Sequence, residues 1–259
     1  MSARNPFKDI ESGYMGVGEF YDLYSDVSDI PFYLDYAQKA GSPILDLAAG
    51  TGRVTFELAH KGFEVVALEQ STSMMAEARK KLEISPKDVS RRITLVEGSM
   101  KEFSLDQKFP LIIVPNSFVH LLTTEDQLST IQCVKDHLTD DGLFILDLYP
   151  GELQYEHATF EDIPAKLPDG GTVTRSGVIQ SDLPNHLMRI ELRYTVRDVD
   201  GQVINEIDVV SGAALLFQQE VDLLIQMSSM IIENEFGDFE KNPYTPDSGR
   251  RIFVLKMKE

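Results

Sequence analysis

The stretch Ile44-Leu45-Asp46-Leu47-Ala48-Ala49-Gly50-Thr51-Gly52 constrains this chain more than any other. Pro43 to Leu47 is an apolar run too short for a helix, and it breaks into five small residues. Arg53 to His60 then sets Val54, Leu58 and Ala59 on one helical face, and Gly62 is a plausible stop. This is a buried strand, a tight turn and a helix in direct succession. Two glycines let the turn bend sharply and let its backbone come close to a ligand. A pair of glycines is common in proteins; its place between a strand and a helix gives it meaning here.

The same rhythm recurs downstream. Glu64 to Leu68 is a second apolar strand ending at Glu69, and a helix capped by Ser71 or Ser73 runs to Leu82. Ile93–Val96, Leu111–Val114 and Leu143–Leu148 are further strands; Thr124 to Leu138 is a helix, and Asp141-Gly142 marks a turn. Nearly continuous apolar strands alternating with helices predict a parallel sheet covered on both faces, hence an α/β doubly wound fold. Ligands of such sheets sit at the carboxyl ends of the strands. That rule gathers Asp46–Gly52, Glu69, Gly98–Met100 and Pro115–His120.

After Pro150 the pattern changes. Residues 172–180, 186–198 and 203–211 alternate polar and apolar, and Asp200-Gly201 is a hairpin signal, so an antiparallel sheet is expected. A helix from Gln218 to Ser229 and a final hairpin, Ile231–Phe236 with Arg251–Lys256, return to the core. The first 42 residues carry Phe7, Tyr14, Phe20, Tyr21, Tyr24, Phe32, Tyr33 and Tyr36, which read either as a helical arm packed on the body or as an aromatic lid.

Charge removes several partners. With 24 Lys+Arg against 42 Asp+Glu, the net charge is −18, which repels phosphate backbones and anionic membranes. The basic groups Arg79-Lys80-Lys81 and Arg91-Arg92 read as solvated edges. A single cysteine, Cys133, cannot form an intrachain disulfide and fits a reducing cytoplasm. The N-terminus lacks a signal-peptide core, and no apolar window is long enough for a membrane helix. The expectation is a cytoplasmic protein without nucleic-acid or membrane partners. His60, His137, His157 and His186 show no metal-ligand spacing, so no metal is expected. A P-loop is excluded because no Gly-Lys-Ser/Thr follows the turn. A dinucleotide fingerprint, and with it a nicotinamide oxidoreductase, is disfavoured because Thr55 stands where the third glycine belongs.

Glu69, at the tip of the second strand, is either an acceptor for both hydroxyls of a ribose or a merely exposed carboxylate. Together, these residues resemble the class I S-adenosylmethionine-dependent methyltransferases. ILDLAAGTGRVTFELA resembles that family's first motif, with Ala48 in place of its first glycine; VVALEQSTSMMAEAR is similar to the second, and VEGSMKEF to the segment lying against adenine. Ser99 stands where that segment usually has Asp, which removes a charge-assisted bond to the adenine amino group. PNSFVHLLT, LTDDGLFILDLY and GDFEKNPYTPDSGRRIFVLK resemble later strand regions of the family. That ending, with FYDLY and SFVHLL, is also similar to the amino-sugar N-methyltransferases.

The resemblance implies a Rossmann-like doubly wound seven-stranded sheet, order 3-2-1-4-5-7-6 with strand 7 antiparallel, plus the antiparallel β insertion and a helical N-terminal arm. It divides the chain into an arm or lid (1–41), an S-adenosylmethionine-binding core (42–150), the insertion as substrate cover or dimer surface (151–215), and the C-terminal part of the core sheet (216–259). It implies cofactor contacts from Asp46, Ala48, Gly50, Thr51, Gly52, Glu69, Gln70, Met74, Gly98, Ser99, Met100 and Pro115, with Tyr21 and Tyr24 closing over the sulfonium. His120 is the candidate general base or, alternatively, a packed histidine at a helix start. Asn116 is a candidate for binding the acceptor or the methionyl group, or for capping the following helix. Tyr244, Asp247 and Arg250 are candidate substrate contacts or parts of a structural turn. The activity implied is methyl transfer to a small-molecule N or O acceptor by a monomer or homodimer. The alternative is a non-catalytic adenosyl-ligand or partner-binding module.

Overall fold

The computed structural model describes residues 16–149 and 157–258. Phe7 and Tyr14, and the start of the insertion at 151, lie outside the described residues. In chain order the elements are α1 (Gly18–Tyr21), a 3-10 turn (Asp22–Tyr24), α2 (Ile30–Ala40), β1 (Ile44–Leu47), α3 (Arg53–His60), β2 (Val65–Glu69), α4 (Thr72–Ile84), α5 (Lys87–Ser90), β3 (Ile93–Glu97) and β4 (Phe109–Val114). A second 3-10 turn (Phe118–His120), α6 (Thr124–His137), β5 (Leu138–Leu148), β6 (His157–Glu161), β7 (Ala165–Lys166), β8 (Thr172–Asp182), β9 (Leu187–Arg197), β10 (Val203–Ala214), α7 (Gln218–Ser228), β11 (Met230–Phe236) and β12 (Arg251–Met257) follow.

The main sheet runs β11-β12-β5-β4-β1-β2-β3. β3, β2, β1, β4 and β5 pair in parallel, and β12 is antiparallel to both β5 and β11. This is the order that the family resemblance implies. Its strands read as unbroken apolar runs because both faces are covered. Leu45, Leu47, Ile112, Val114, Phe144 and Leu146 face α6 and α7, whereas Ile44, Val65, Leu111, Ile113 and Ile145 face α2 and α3. Along each strand the residues serve the two faces alternately. The turn expected at Asp141-Gly142 lies instead inside β5. Register jumps there from Phe109↔Leu138 to Leu111↔Leu143, so the extra residues are taken up as an irregularity in an extended strand.

The insertion forms a second, antiparallel sheet in the order β10-β9-β8-β6, with β7 on β8. Asp200-Gly201 does close the β9–β10 hairpin. Gly201 has φ +80°, and Asp198 Oδ1 accepts from the backbone N–H groups of Asp200 and Gln202. The short β6 and β7 were not expected.

The arm divides its aromatics between two tasks. Phe32, Tyr33 and Tyr36 on α2 belong to the main core. Val17 and Phe20 join Val173, Leu192, Tyr194, Val196 and Val209 beneath the second sheet, with Phe20 stacked 6.0 Å from Tyr194. Lys81, expected at a solvated edge, instead binds Asp22 and donates to the Thr51 carbonyl at 3.0 Å. It thereby ties the arm to α4 and the glycine turn. α1 approaches α4 so closely that a Cβ on Gly18 would lie 2.4 Å from the Ser73 carbonyl oxygen.

Replacing Gly18 by Ala is therefore expected to lower stability by about 1–3 kcal/mol, the range for overpacking a close contact. Urea unfolding measures it, and an unchanged midpoint would show that the arm docks without this approach.

Candidate functional site

The carboxyl ends of β1, β2 and β4, the arm and the second sheet enclose a cavity of about 330 Å³. Its floor is the glycine turn. Ala48, Gly50 and Gly52 all adopt left-handed backbone, with φ of 53°, 61° and 81°. A Cβ built on Gly50 meets nothing within 4 Å, so the backbone there faces open space. At Gly52 the same atom would lie 2.7 Å from the Phe56 ring, so side-chain bulk is excluded. Ala48 is strained: left-handed backbone costs an L-residue roughly 1–2 kcal/mol.

Glu69 ties the strand tips together. Its Oε2 accepts from the Gly50 N–H at 2.8 Å and its Oε1 from the Ser71 N–H at 2.6 Å. Burial pushes its pKa up while these two amides pull it down. A carboxylate has about four acceptor positions, so capacity remains for hydroxyl donors in the cavity that it lines. Ser71 also caps α4, its Oγ accepting from the Met74 N–H at 3.5 Å.

Asp46 lies behind the turn, 1% exposed and outside the cavity lining. Thr55 Oγ1 donates to its Oδ2 at 2.6 Å, while Oδ1 is buried without a hydrogen-bond partner. The residue that spoils the dinucleotide fingerprint is thus the hydroxyl that serves a buried acid. Burial pushes Asp46 up to about 7, against the Thr55 hydrogen bond and the nearby Arg53 charge.

At the far end, Arg250 Nη1 donates to Asn116 Oδ1 at 2.6 Å and to both carboxylate oxygens of buried Asp147, at 2.9 and 3.0 Å. Its Nη2 donates to the Tyr149 hydroxyl at 2.6 Å. Asn116 has φ 53° and spends its side-chain oxygen on Arg250, so the helix-cap alternative is not what the structure shows. His120 ends its 3-10 turn, and its Nδ1 donates to the Gly212 carbonyl at 2.9 Å. Burial holds its pKa below the usual imidazole value, although the Gly212 bond works the other way. The imidazole is therefore neutral at neutral pH.

Tyr21, Tyr24, Ala48, Gly50, Glu69, Gln70, Met74, Met100, Asn116, His120 and Arg250 line this one cavity. Thr51, Gly52, Gly98, Ser99 and Pro115 do not, and support the rim instead. Thr51 Oγ1 donates to Asp22 at 2.6 Å, the Gly98 N–H to the Glu69 carbonyl at 3.1 Å, and Ser99 Oγ accepts from the Lys101 N–H at 3.3 Å. Tyr244 and Asp247 are not among the lining residues either. The Tyr244 ring packs on Arg251, 4.8 Å from its guanidinium, which also pairs with Glu235 and Asp222. Sequence reasoning missed Arg53, held bidentately by Asp29, and Arg175 from β8, held by Asp162 and 4.7 Å from the Tyr24 ring. It also missed Tyr149 and Phe239. Arg53 directly follows the glycine turn and could have been found there; Arg175 lies in a segment with no chemical motif. Among the described residues no cluster of His, Cys, Asp and Glu is arranged for a metal, and no helix is long and apolar enough to cross a membrane.

The donor set suits an adenosyl ligand. It offers an acid for a ribose, two thioether side chains, Met74 and Met100, for a flat base, an open glycine cradle, and aromatic rings for a cation. Comparison with known proteins points the same way. The methyltransferase domain family matches residues 44–142. A dTDP-3-amino-3,4,6-trideoxy-alpha-D-glucopyranose N,N-dimethyltransferase of Streptomyces venezuelae is 28% identical over 93% of this chain and 93% of its own length. The cypemycin N-terminal methyltransferase of a Streptomyces species is 25% identical over 93% and 95%. Among solved structures, the SAM-bound amino pentose methyltransferase CalS10 of Micromonospora echinaspora superposes with TM-score 0.70 at 21% identity, covering 96% of this chain and 99% of that one. That last likeness is one of fold.

Two outcomes follow from the strained turn and the buried acid. Ala48→Gly is expected to stabilise the protein by roughly 0.5–1 kcal/mol, because relief of left-handed strain exceeds the added entropy of the unfolded chain; urea unfolding measures it, and a loss of stability would refute it. Asp46 holds its proton more tightly folded, at about 7, than unfolded, near 3.9. Its contribution is therefore complete below the unfolded value and lost as pH rises through 7. Melting curves should show Asp46→Asn gaining on the wild type between pH 5 and pH 8, and parallel pH profiles would contradict the assignment.

Proposed function

We propose that the chain is an S-adenosylmethionine-dependent methyltransferase that transfers the methyl group to the amine of a small polar molecule. The observation that carries this reading is the single cavity that runs from the Glu69–Gly50 rim to His120 and the Asn116–Arg250 pair. The names of relatives aligned over nearly the whole chain support nitrogen as the acceptor atom: an amino-sugar N,N-dimethyltransferase and a peptide N-terminal methyltransferase.

When bound, S-adenosylmethionine supplies a methyl carbon on a sulfonium, already activated for in-line displacement. The protein's task is then to position the reactants and manage a proton. Glu69 would accept from the ribose hydroxyls, Met74 and Met100 would flank the base, and the Gly50 backbone would leave room for the methionyl end. Tyr21 and Tyr24, which line the cavity, would offer aromatic surface to the positive sulfur. His120, kept neutral by burial, takes the proton that an ammonium acceptor must lose before its nitrogen can attack. Arg175, Tyr149 and the Arg250–Asn116 pair give the acceptor end of the cavity a polar wall.

Release of S-adenosylhomocysteine with a panel of amines, dTDP-3-amino-3,4,6-trideoxy-alpha-D-glucopyranose first, tests the activity. Turnover with an amine and none with the matching alcohol is expected; turnover of alcohols or phenols alone would overturn the nitrogen assignment. Glu69→Ala is expected to weaken S-adenosylhomocysteine binding by about 1–3 kcal/mol in calorimetry, the worth of hydrogen bonds to a charged group. Unchanged affinity would remove Glu69 from the ribose site.

A further inference from the structure

One carbonyl of the second sheet reaches His120. β10 is the edge strand of that sheet, and an edge strand leaves alternate main-chain groups unpaired on its open side. The Gly212 carbonyl accepts from His120 Nδ1 at 2.9 Å, across 92 residues of sequence. A carbonyl oxygen only accepts, so the ring carries its hydrogen on Nδ1. In a neutral imidazole the lone pair then belongs to Nε2. The opposite tautomer would set the Nδ1 lone pair against the carbonyl oxygen and give Nε2 a hydrogen to donate.

Each partner is fixed by a different part of the molecule. The 3-10 turn that carries His120 is closed by the His120 N–H to the Ser117 carbonyl and the Leu121 N–H to the Phe118 carbonyl, each at 3.0 Å. Phe118 and Leu121 are fully buried in the main core. Gly212 is held through its pairing with Arg189 on β9, and nearby the Leu215 N–H donates to the His186 carbonyl at 2.8 Å. The ring therefore spans two bodies, one setting its place and the other its tautomer.

We propose that the Gly212 carbonyl is a positioning group for proton transfer: it holds His120 as the Nδ1–H tautomer and makes Nε2 the proton acceptor for the amine. This rests on the reading of His120 as the base. In the step, an N–H bond of the acceptor ammonium breaks and Nε2–H forms. The electron pair stays on the acceptor nitrogen, now free to attack carbon. The ring becomes imidazolium, which strengthens the Nδ1–H bond to Gly212, and later returns the proton to solvent. The insertion thus sets the chemistry as well as covering the cavity.

Long-range proton–nitrogen correlation on the full chain labelled with ¹⁵N-histidine reads the tautomer, with His120→Gln assigning the signal. The Nδ1–H tautomer is expected, and a predominant Nε2–H tautomer overturns the proposal. Replacing Ala213 by its α-hydroxy acid turns the Gly212 carbonyl into that of an ester, a weaker acceptor. With the panel amine that turns over fastest, kcat should fall about tenfold, within the reach of general-base effects, while KM for the amine stays within about twofold. The same ester at Ser211, which weakens the Val210 carbonyl, should leave both unchanged; equal losses from the two esters overturn the proposal. The failures are distinguishable. His120→Asn keeps a donor toward Gly212 and lacks a basic nitrogen, so full activity in that variant sinks the base reading and this inference with it. An Nε2–H tautomer alongside an inactive His120→Asn sinks only the positioning role.

Discussion

The Glu69 carboxylate accepting from Gly50 and Ser71 is the interaction on which the rest of the site depends. It joins the tips of β1 and β2, fixes the glycine turn by its backbone, and sets Ser71 to cap α4. Burying a charge is costly unless its oxygens are hydrogen-bonded, and two amide donors offset that cost here. The strain of Ala48, the cradle at Gly50 and the start of α4 are held in one arrangement because a single acid pulls on the turn and the helix together.

Around that bridge the cavity is closed by parts of the chain that lack structure of their own kind to rest on. The arm is fastened at Gly18 on α4, at Asp22 on Lys81 and Thr51, at Asp29 on Arg53, and by the Tyr24 hydroxyl on the Val173 carbonyl at 2.6 Å. These ties run to the glycine turn, to the helix after β2 and to the second sheet. One short segment thus couples three walls of the cavity, and its aromatics divide between cavity lining and core. Tyr21 and Tyr24 line the cavity while Phe20, Phe32, Tyr33 and Tyr36 are core.

The main sheet was legible because its signals are local. Strands buried on both faces must be continuously apolar, and a turn that brings backbone to a ligand must be small, so β1, β2, β4 and the glycine turn announce themselves. Glu69 was legible by its position at a strand end. The acceptor side was legible only in part, through Asn116, His120 and Arg250; Arg175, Tyr149 and Phe239 acquire their meaning by converging from β8, the end of β5 and the β11–β12 loop. Each is an ordinary residue in its own neighbourhood. Tyr244 illustrates the converse, lying in the expected loop but turned onto Arg251.

The sequence by itself determined the layered α/β class, the strand–turn–helix that carries the ligand site, and the residue types at the strand tips, because each depends on the periodicity of neighbours and on glycine's freedom at positive φ. Only the tertiary structure decided which of those residues share a cavity, that Thr55 serves Asp46, and that the Gly212 carbonyl selects the His120 tautomer. Those outcomes are hydrogen bonds, many of them between segments far apart along the chain, whose geometry exists only after two sheets and an arm have packed against one another.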